Sequence, residues 1–479
     1  MPEKTFLKRF LMQRRLWVSF VLTMIIVVVW AGASFAADPS GAATIDLEND
    51  PAGAAVAAVN SSWVLIAAFL VFFMQIGFAL LEAGSTGARN SGSVFMKNLM
   101  DFCMCGLAFW AFGFAIMFGG SEAASGLSEG NAFIGFSGFF LAGEANDVGT
   151  MQLWIFQMVF AATAATIVSG AMAERTKLNT YMAYSFLISA LIYPIYGHWV
   201  WGGGWLSTLP FGAGAVDFAG SGVVHAVGGI AALVGALMVG ARKGKFIDGR
   251  PRSLPGHNMG YVVLGTMILL FGWFGFNAGS TLAATDLRIS SIAVNTFLAA
   301  IAGGLVAYYI QLARTGRADI AVTCSGVIGG LVAITAPCAF VAPWASVLIG
   351  AIAGALVIAV AEFLERRLGL DDPVWAVACH GGCGLFGMLA VGIFADGSYG
   401  DVGGLIVGDT EQIIAQLISI VTVVAWTGLA SALLFGVLKS TIGLRVSEQD
   451  ELAGMDVSEF VQPGLVFDQT VMDKVGTHP

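Results

Sequence analysis

From about residue 60 onward the chain repeats one pattern: a long apolar run, a short polar break, and another long run. Eleven such runs stand near 62–84, 98–119, 151–173, 180–201, 219–241, 258–280, 290–312, 320–339, 343–364, 374–395 and 412–438. An α-helix rises about 1.5 Å per residue, so roughly 20 apolar residues cross the ~30 Å hydrocarbon core of a bilayer. The pattern predicts an all-α polytopic membrane protein with 11 transmembrane helices, a membrane domain over 61–439 and a tail over 440–479.

Composition agrees with this pattern. Hydrophobic residues make up 57% of the chain and charged residues only 11%, against roughly 25% charged in a soluble domain. The 63 glycines suit helices that pack closely in a membrane. Residues 1–36 differ from the rest: a basic start with Lys4, Lys8, Arg9, Arg14 and Arg15, an apolar core, and small residues around Ala36. They read as a signal peptide, with an uncleaved first helix as the alternative, and 37–60 as a polar, Gly/Ala-rich leader. Threading eleven spans with the N-terminus outside places 16 of the 22 basic residues on the inner side; only Arg288 falls outside, and the other five lie in the signal peptide. Positive charge collects on the cytoplasmic side of membrane proteins, so the expected orientation is N-out and C-in. The six cysteines sit in or beside apolar runs without zinc-site spacing and read as packing residues. No cofactor, metal site, nucleophile–base set or nucleic-acid surface stands out.

Two short stretches break the apolar pattern in the same way. "DFAGSGVVH" and "DPVWAVACH" each put an aspartate eight residues before a histidine, Asp217 before His225 and Asp372 before His380, and glycine-rich apolar sequence follows both. They open the fifth and tenth spans, which run in opposite directions. Spans 1–5 and 6–10 therefore read as inverted five-helix repeats, with a final helix added, an architecture that places a site near the bilayer midplane. Asp217 and Asp372 read as helix caps, Asp372 with Pro373 at the first helical position; an attraction of cations to the outer mouth is a second role for Asp217. The histidines are expected deep in the hydrocarbon, where ionisable groups are costly and mark pathways or relays. A core histidine satisfied by a backbone carbonyl is the plainer reading of either one alone.

Aromatic residues gather toward the outer ends of three spans. Phe156 and Phe160 are four apart on one helix, "HWVWGGGW" carries His198, Trp201 and Trp205, and "GWFGFNAGS" carries Trp273, Phe276 and Ser280. Aromatic faces beside a hydroxyl suit a small cation. An interfacial aromatic belt is the alternative.

With these residues in view, "FQMVFAATAATIVSGAMAER", "HWVWGGG", "DFAGSGVVH", "GWFGFNAGS" and "DDPVWAVACHGGCG" resemble the ammonium transporter (Amt/Mep/Rh) family over about residues 60–456, and "FFMQIGFALLEAG" looks more like its Amt branch. The resemblance implies an outer ammonium site at Phe160, Trp201 and Ser280 with Phe156 nearby, and a gate of Phe160 stacked on Phe276. It also implies a pore lined by His225, His380 and Trp273, and structural support from Asp217. It further implies a homotrimer with one pore per subunit, ammonia and proton crossing separately with net charge movement, and possible acceptance of methylammonium. A PII-type regulator at the cytoplasmic face is a plausible partner, although "VSEFVQPGLVFDQTVMDKVGTHP" lacks the family's usual histidine-glycine tail motif. Three readings follow: an electrogenic ammonium transporter, a neutral gas channel of the Rh kind, or an ammonium sensor. The histidine pair and aromatic mouth fit the first best.

Overall fold

The computed structural model describes residues 38–42, 44–124 and 126–460; the signal-peptide reading and the far tail lie outside them. The described chain is mainly helical, with one two-stranded ribbon, Phe246–Ile247 against Arg250–Pro251. Ten helices are long and apolar enough to cross a membrane. In chain order, with one shorter apolar helix, they are α1 (Pro51–Ser85), α2 (Ala88–Phe118), α3 (Val148–Met172), α4 (Leu178–Trp201), α5 (Ser221–Val239), α6 (Met259–Thr281), α7 (Ile289–Thr315), α8 (Ile320–Ile334), α9 (Pro343–Leu368), α10 (Val377–Phe394) and α11 (Glu411–Thr441).

Helices α1, α2 and α8 depart from the apolar pattern, α2 by starting at Ala88, well before its apolar run. Helix α1 begins inside the expected leader, because Asp50 caps it by accepting from Gly53 N at 2.9 Å, Pro51 fixes the first turn, and alanines follow. Helix α8 falls short of a full span. Its 15 residues rise only about 22 Å, and Pro337, which cannot donate the next helical hydrogen bond, lies just beyond its end. The irregular chain after it is satisfied by neighbours, as backbone buried in a membrane protein must be. Thr335 O and Ala336 O accept from Ala219 N and Phe218 N at 3.1 and 3.2 Å, and Asn295 Nδ2 donates to Cys338 O and Val341 O.

Helices α5 and α10 form the centre and share a local design. Each opens with a wide, π-type turn, Ser221–Ala226 and Val377–Gly382, that carries its histidine. The Asp217 carboxylate accepts from the N–H groups of Gly220, Ser221, Gly222 and Val223 at 2.8–2.9 Å. Asp372 accepts from Val374 N and Val377 N at 3.3 and 2.8 Å. Three residues after each aspartate the backbone turns left-handed, at Gly220 (φ +112°) and at Trp375 (φ +58°), the latter an uncommon conformation for an aromatic residue.

The two helices cross where their glycines meet. A Cβ on Gly229, four residues after His225, would lie 2.1 Å from Gly381 N; one on Gly384, four after His380, would lie 2.5 Å from Ser221 O. Both contacts are with backbone, so a methyl group has nowhere to go. Gly229→Ala is therefore expected to lower the thermal unfolding midpoint in detergent, at a cost of about 1–3 kcal/mol, and to force the two histidines apart. An unchanged midpoint would contradict this close crossing.

Candidate functional site

The helices bring the aromatic and histidine residues into one file. On α3, Phe156 and Phe160 lie one turn apart with ring centroids 4.7 Å apart. Phe160 meets Trp201 at the end of α4 edge-on at 6.2 Å. It stacks on Phe276 of α6 at 4.0 Å and 25°. Phe276 in turn lies 5.3 Å from the His225 ring, and Trp273, one turn earlier on α6, stacks on His225 at 5.1 Å. His225 and His380 face each other with Nδ1 atoms 3.1 Å apart, and Phe78 of α1 flanks His380 at 6.2 Å. Phe160, Phe276, Trp273 and His225 are fully buried. The Phe160–Phe276 stack thus closes the file above the histidines.

A hydrogen bond between two Nδ1 atoms needs one proton between them, so two neutral rings there are opposite tautomers. The ring that accepts carries its proton on Nε2, and the ring that donates has a bare Nε2. A proton arriving at one outer nitrogen can therefore shift across the pair and leave from the other. His225 Nε2 is buried and has no hydrogen-bond partner among the described residues, which leaves it free for a species in the file.

Supporting residues fix the file. Asp217 does more than cap α5: its carbonyl accepts from Trp201 Nε1 at 2.6 Å, tying the mouth to the histidine turn. Asp217 is 6% exposed, and its carboxylate holds four backbone N–H groups, the geometry that the capping role requires. Ser280 is partly buried and donates from Oγ to Phe276 O at 2.7 Å, leaving its lone pairs to accept. Trp273 Nε1 donates to Thr335 Oγ1 at 2.9 Å, so the broken end of α8 orients a ring against His225. Thr335 carried no sequence signal beyond its place in an apolar run. His198 and Trp205 do not join the file. Both His198 ring nitrogens meet backbone carbonyls, Met117 O at 2.8 Å and Asn131 O at 2.7 Å, and Trp205 packs on Trp199 at 5.9 Å.

Below the histidines the interior opens. A cavity of about 480 Å³ is lined by Phe78, Glu82, Cys379 and His380 together with Arg242, Lys245, Asp319 and Glu365. Arg242 bridges Asp371 and Glu174 there; although burial pushes the Asp371 carboxyl up, the guanidinium holds it down at about 2. The same face carries the tail. Arg89 Nη1 donates to Leu452 O at 2.7 Å, Arg445 pairs with Glu451 at 2.8 Å, and Asp456 accepts from Gly92 N and Ser93 N at 2.9 and 2.6 Å.

The model of the Ammonium Transporter Family matches residues 62–464. This chain belongs to that family. Among curated relatives, Ammonium transporter Amt2 of Archaeoglobus fulgidus is 51% identical over 92% of this chain and 93% of its own length. Ammonium transporter 1 member 3 of Solanum lycopersicum is 38% identical over 84% and 91%. Among solved structures, a Sensor Amt Protein superposes with a TM-score of 0.77 at 38% identity, covering 84% of this chain and 98% of its own. Candida albicans Mep2 gives 0.74 at 29%, covering 86% and 89%. With its ten apolar helices, this family member is a multi-pass membrane protein, and its curated relatives named here are transporters.

Removing the Asp217 carboxylate strands four buried N–H groups. Asp217→Ala is expected to destabilise the protein by at least about 2 kcal/mol, since bonds to charged groups are worth ~1.5–3 kcal/mol each. It is also expected to loosen Trp201. Thermal unfolding in detergent with indole fluorescence checks both, and a wild-type midpoint would contradict the capping role.

Proposed function

We propose that the protein takes up ammonium across the cell membrane and delivers ammonia and a proton by separate steps. The observation that supports this most is the sealed aromatic file ending on two hydrogen-bonded histidines. A cation entering it loses its water and meets no counter-ion, and burying an unpaired charge is costly on any scale. Potassium must remain charged, whereas ammonium can give up its proton, so the barrier discriminates where size cannot.

In this reading ammonium rests in the cup of Phe156, Phe160 and Trp201, held by the ring faces and by a lone pair of the Ser280 hydroxyl. Once the proton has left, neutral ammonia passes as the Phe160 and Phe276 rings swing aside, moves along Trp273, His225 and His380, and enters the vestibule. The proton crosses the His225–His380 pair, so charge moves with each ammonia. The cup faces outward and the tail face is cytoplasmic, with eleven membrane helices, inverted repeats, N-terminus out and C-terminus in, which agrees with the basic residues gathered around the vestibule mouth. The assembly is a homotrimer with a pore in each subunit, and the tail face is where a PII-type regulator would dock. A sensor is the second reading; one solved neighbour is titled a Sensor Amt Protein, whereas the curated relatives are named as transporters.

An ammonium pulse on purified protein in liposomes, with potassium as control, tests this. A transient, saturable current for ammonium alone is expected; no current despite retained binding would move the reading to a sensor or a neutral channel. Ser280→Ala is expected to weaken apparent affinity about 2- to 10-fold, the worth of one neutral hydrogen bond, and unchanged uptake across concentrations would make Ser280 a packing residue. Replacing both His225 and His380 by apolar residues should abolish flux or the discrimination against potassium, and a normal, selective current would overturn the relay.

A further inference from the structure

A proton that crosses the histidine pair emerges at His380 and needs an acceptor in the vestibule; this question rests on the transport reading above. His380 uses Nδ1 toward His225, so its Nε2 is the nitrogen left for the cavity it lines. Most carboxylates near that cavity are committed. Asp372 holds backbone N–H groups at the start of α10. Asp371 and Glu174 are paired with Arg242, and Glu365 with Lys245. Asp319 caps α8 at the mouth, accepting from Val322 N at 3.0 Å.

Glu82 is different. It sits on α1 one turn beyond Phe78, the ring that flanks His380, and it lines the same cavity as His380 while only 2% exposed. Its Oε2 accepts from Ser169 Oγ of α3 at 2.9 Å and from Asn98 Nδ2 of α2 at 3.2 Å. Thr166 orients that amide by donating to Asn98 Oδ1 at 2.9 Å. The other oxygen, Oε1, accepts no hydrogen bond and Glu82 makes no ion pair among the described residues. A buried carboxylate with one oxygen anchored and the other bare beside a cavity is costly to keep unless it is used. The charged groups that act on it are Lys97 and Asp101 of α2. Lys97 Nζ donates to Thr176 O at 2.7 Å, and Asp101 is engaged by Ser185 and Gln75.

We propose that Glu82 is the proton acceptor of the vestibule. The proton leaves His380 Nε2, passes through a bridging water to Glu82 Oε1 and makes a neutral carboxylic acid. That acid releases it to vestibule water, which restores the carboxylate and leaves His380 neutral. The anchor at Oε2 holds the side chain in place through both states.

Glu82→Gln keeps an oxygen for Ser169 and Asn98 but cannot take up the proton. In liposomes it is expected to cut the ammonium current at least tenfold while ammonium binding and the thermal midpoint stay near wild type, and Glu82→Asp is expected to restore part of the current. A wild-type current in Glu82→Gln would overturn the proposal and leave the transport reading standing; no current in the wild type itself would instead defeat the transport reading and this inference with it. Should Glu82→Gln fail to fold, infrared difference spectra of the wild type and Glu82→Asp decide. An ammonium pulse should change a carboxylic-acid C=O band that moves in Glu82→Asp, and the absence of such a band, or one unmoved by that substitution, would overturn the proposal.

Discussion

His225 and His380 face each other through Nδ1 atoms 3.1 Å apart, and holding two imidazoles that way in an apolar interior constrains everything around them. Each ring has one nitrogen turned inward to its partner and one turned outward, so the rotamers must be fixed and the helices must approach closely. The close approach comes from Gly229 and Gly384 at the α5–α10 crossing. The fixed turns come from Asp217 and Asp372, whose carboxylates gather backbone N–H groups ahead of each histidine. The rings stacked on His225, Trp273 and Phe276, complete the socket.

Polarity along the file is uneven in a way that suits selective passage. At one end stand ring faces and a single hydroxyl; in the middle the histidine nitrogens are polar atoms without a backbone partner among the described residues; at the other end charged side chains line an open vestibule. Preorganised dipoles stabilise a species without reorganising when it arrives, and between the Phe160–Phe276 stack and the histidine pair the described side chains that form the file, Trp273 and His225, carry no carboxylate. An ion that keeps its charge finds none of the counter-charge that lines the mouth. A neutral molecule of the size of ammonia loses little by entering.

Much of this was legible in the chain. The repeated aspartate–histidine spacing marked both histidines of the facing pair, and the aromatic clusters marked Phe156, Phe160, Trp201, Trp273, Phe276 and Ser280, which the fold does bring together. Other features were hidden for physical reasons. Hydropathy counts apolar residues but does not locate a backbone break, so α8 read as a full span although Pro337 stood in the run. His198 shared a motif with Trp201, yet two backbone carbonyls, Met117 O at the end of α2 and Asn131 O in the loop after it, engage its ring, which spacing within the motif does not reveal. Glu82 lay inside "FFMQIGFALLEAG", and only the packing of α1 against α2 and α3 shows that its carboxylate reaches the vestibule. Asp217 carried two readings in sequence, and the four backbone N–H groups it holds supply the geometry of the cap.

The central claim is that each ammonia is delivered with one proton by a separate route. The direct measurement is the ratio of charge to nitrogen in the same liposomes, with integrated current set against accumulated isotope-labelled ammonia. A ratio near one elementary charge per nitrogen, held while the ammonium gradient is varied, is what the account predicts. A ratio near zero with undiminished accumulation of nitrogen would contradict it.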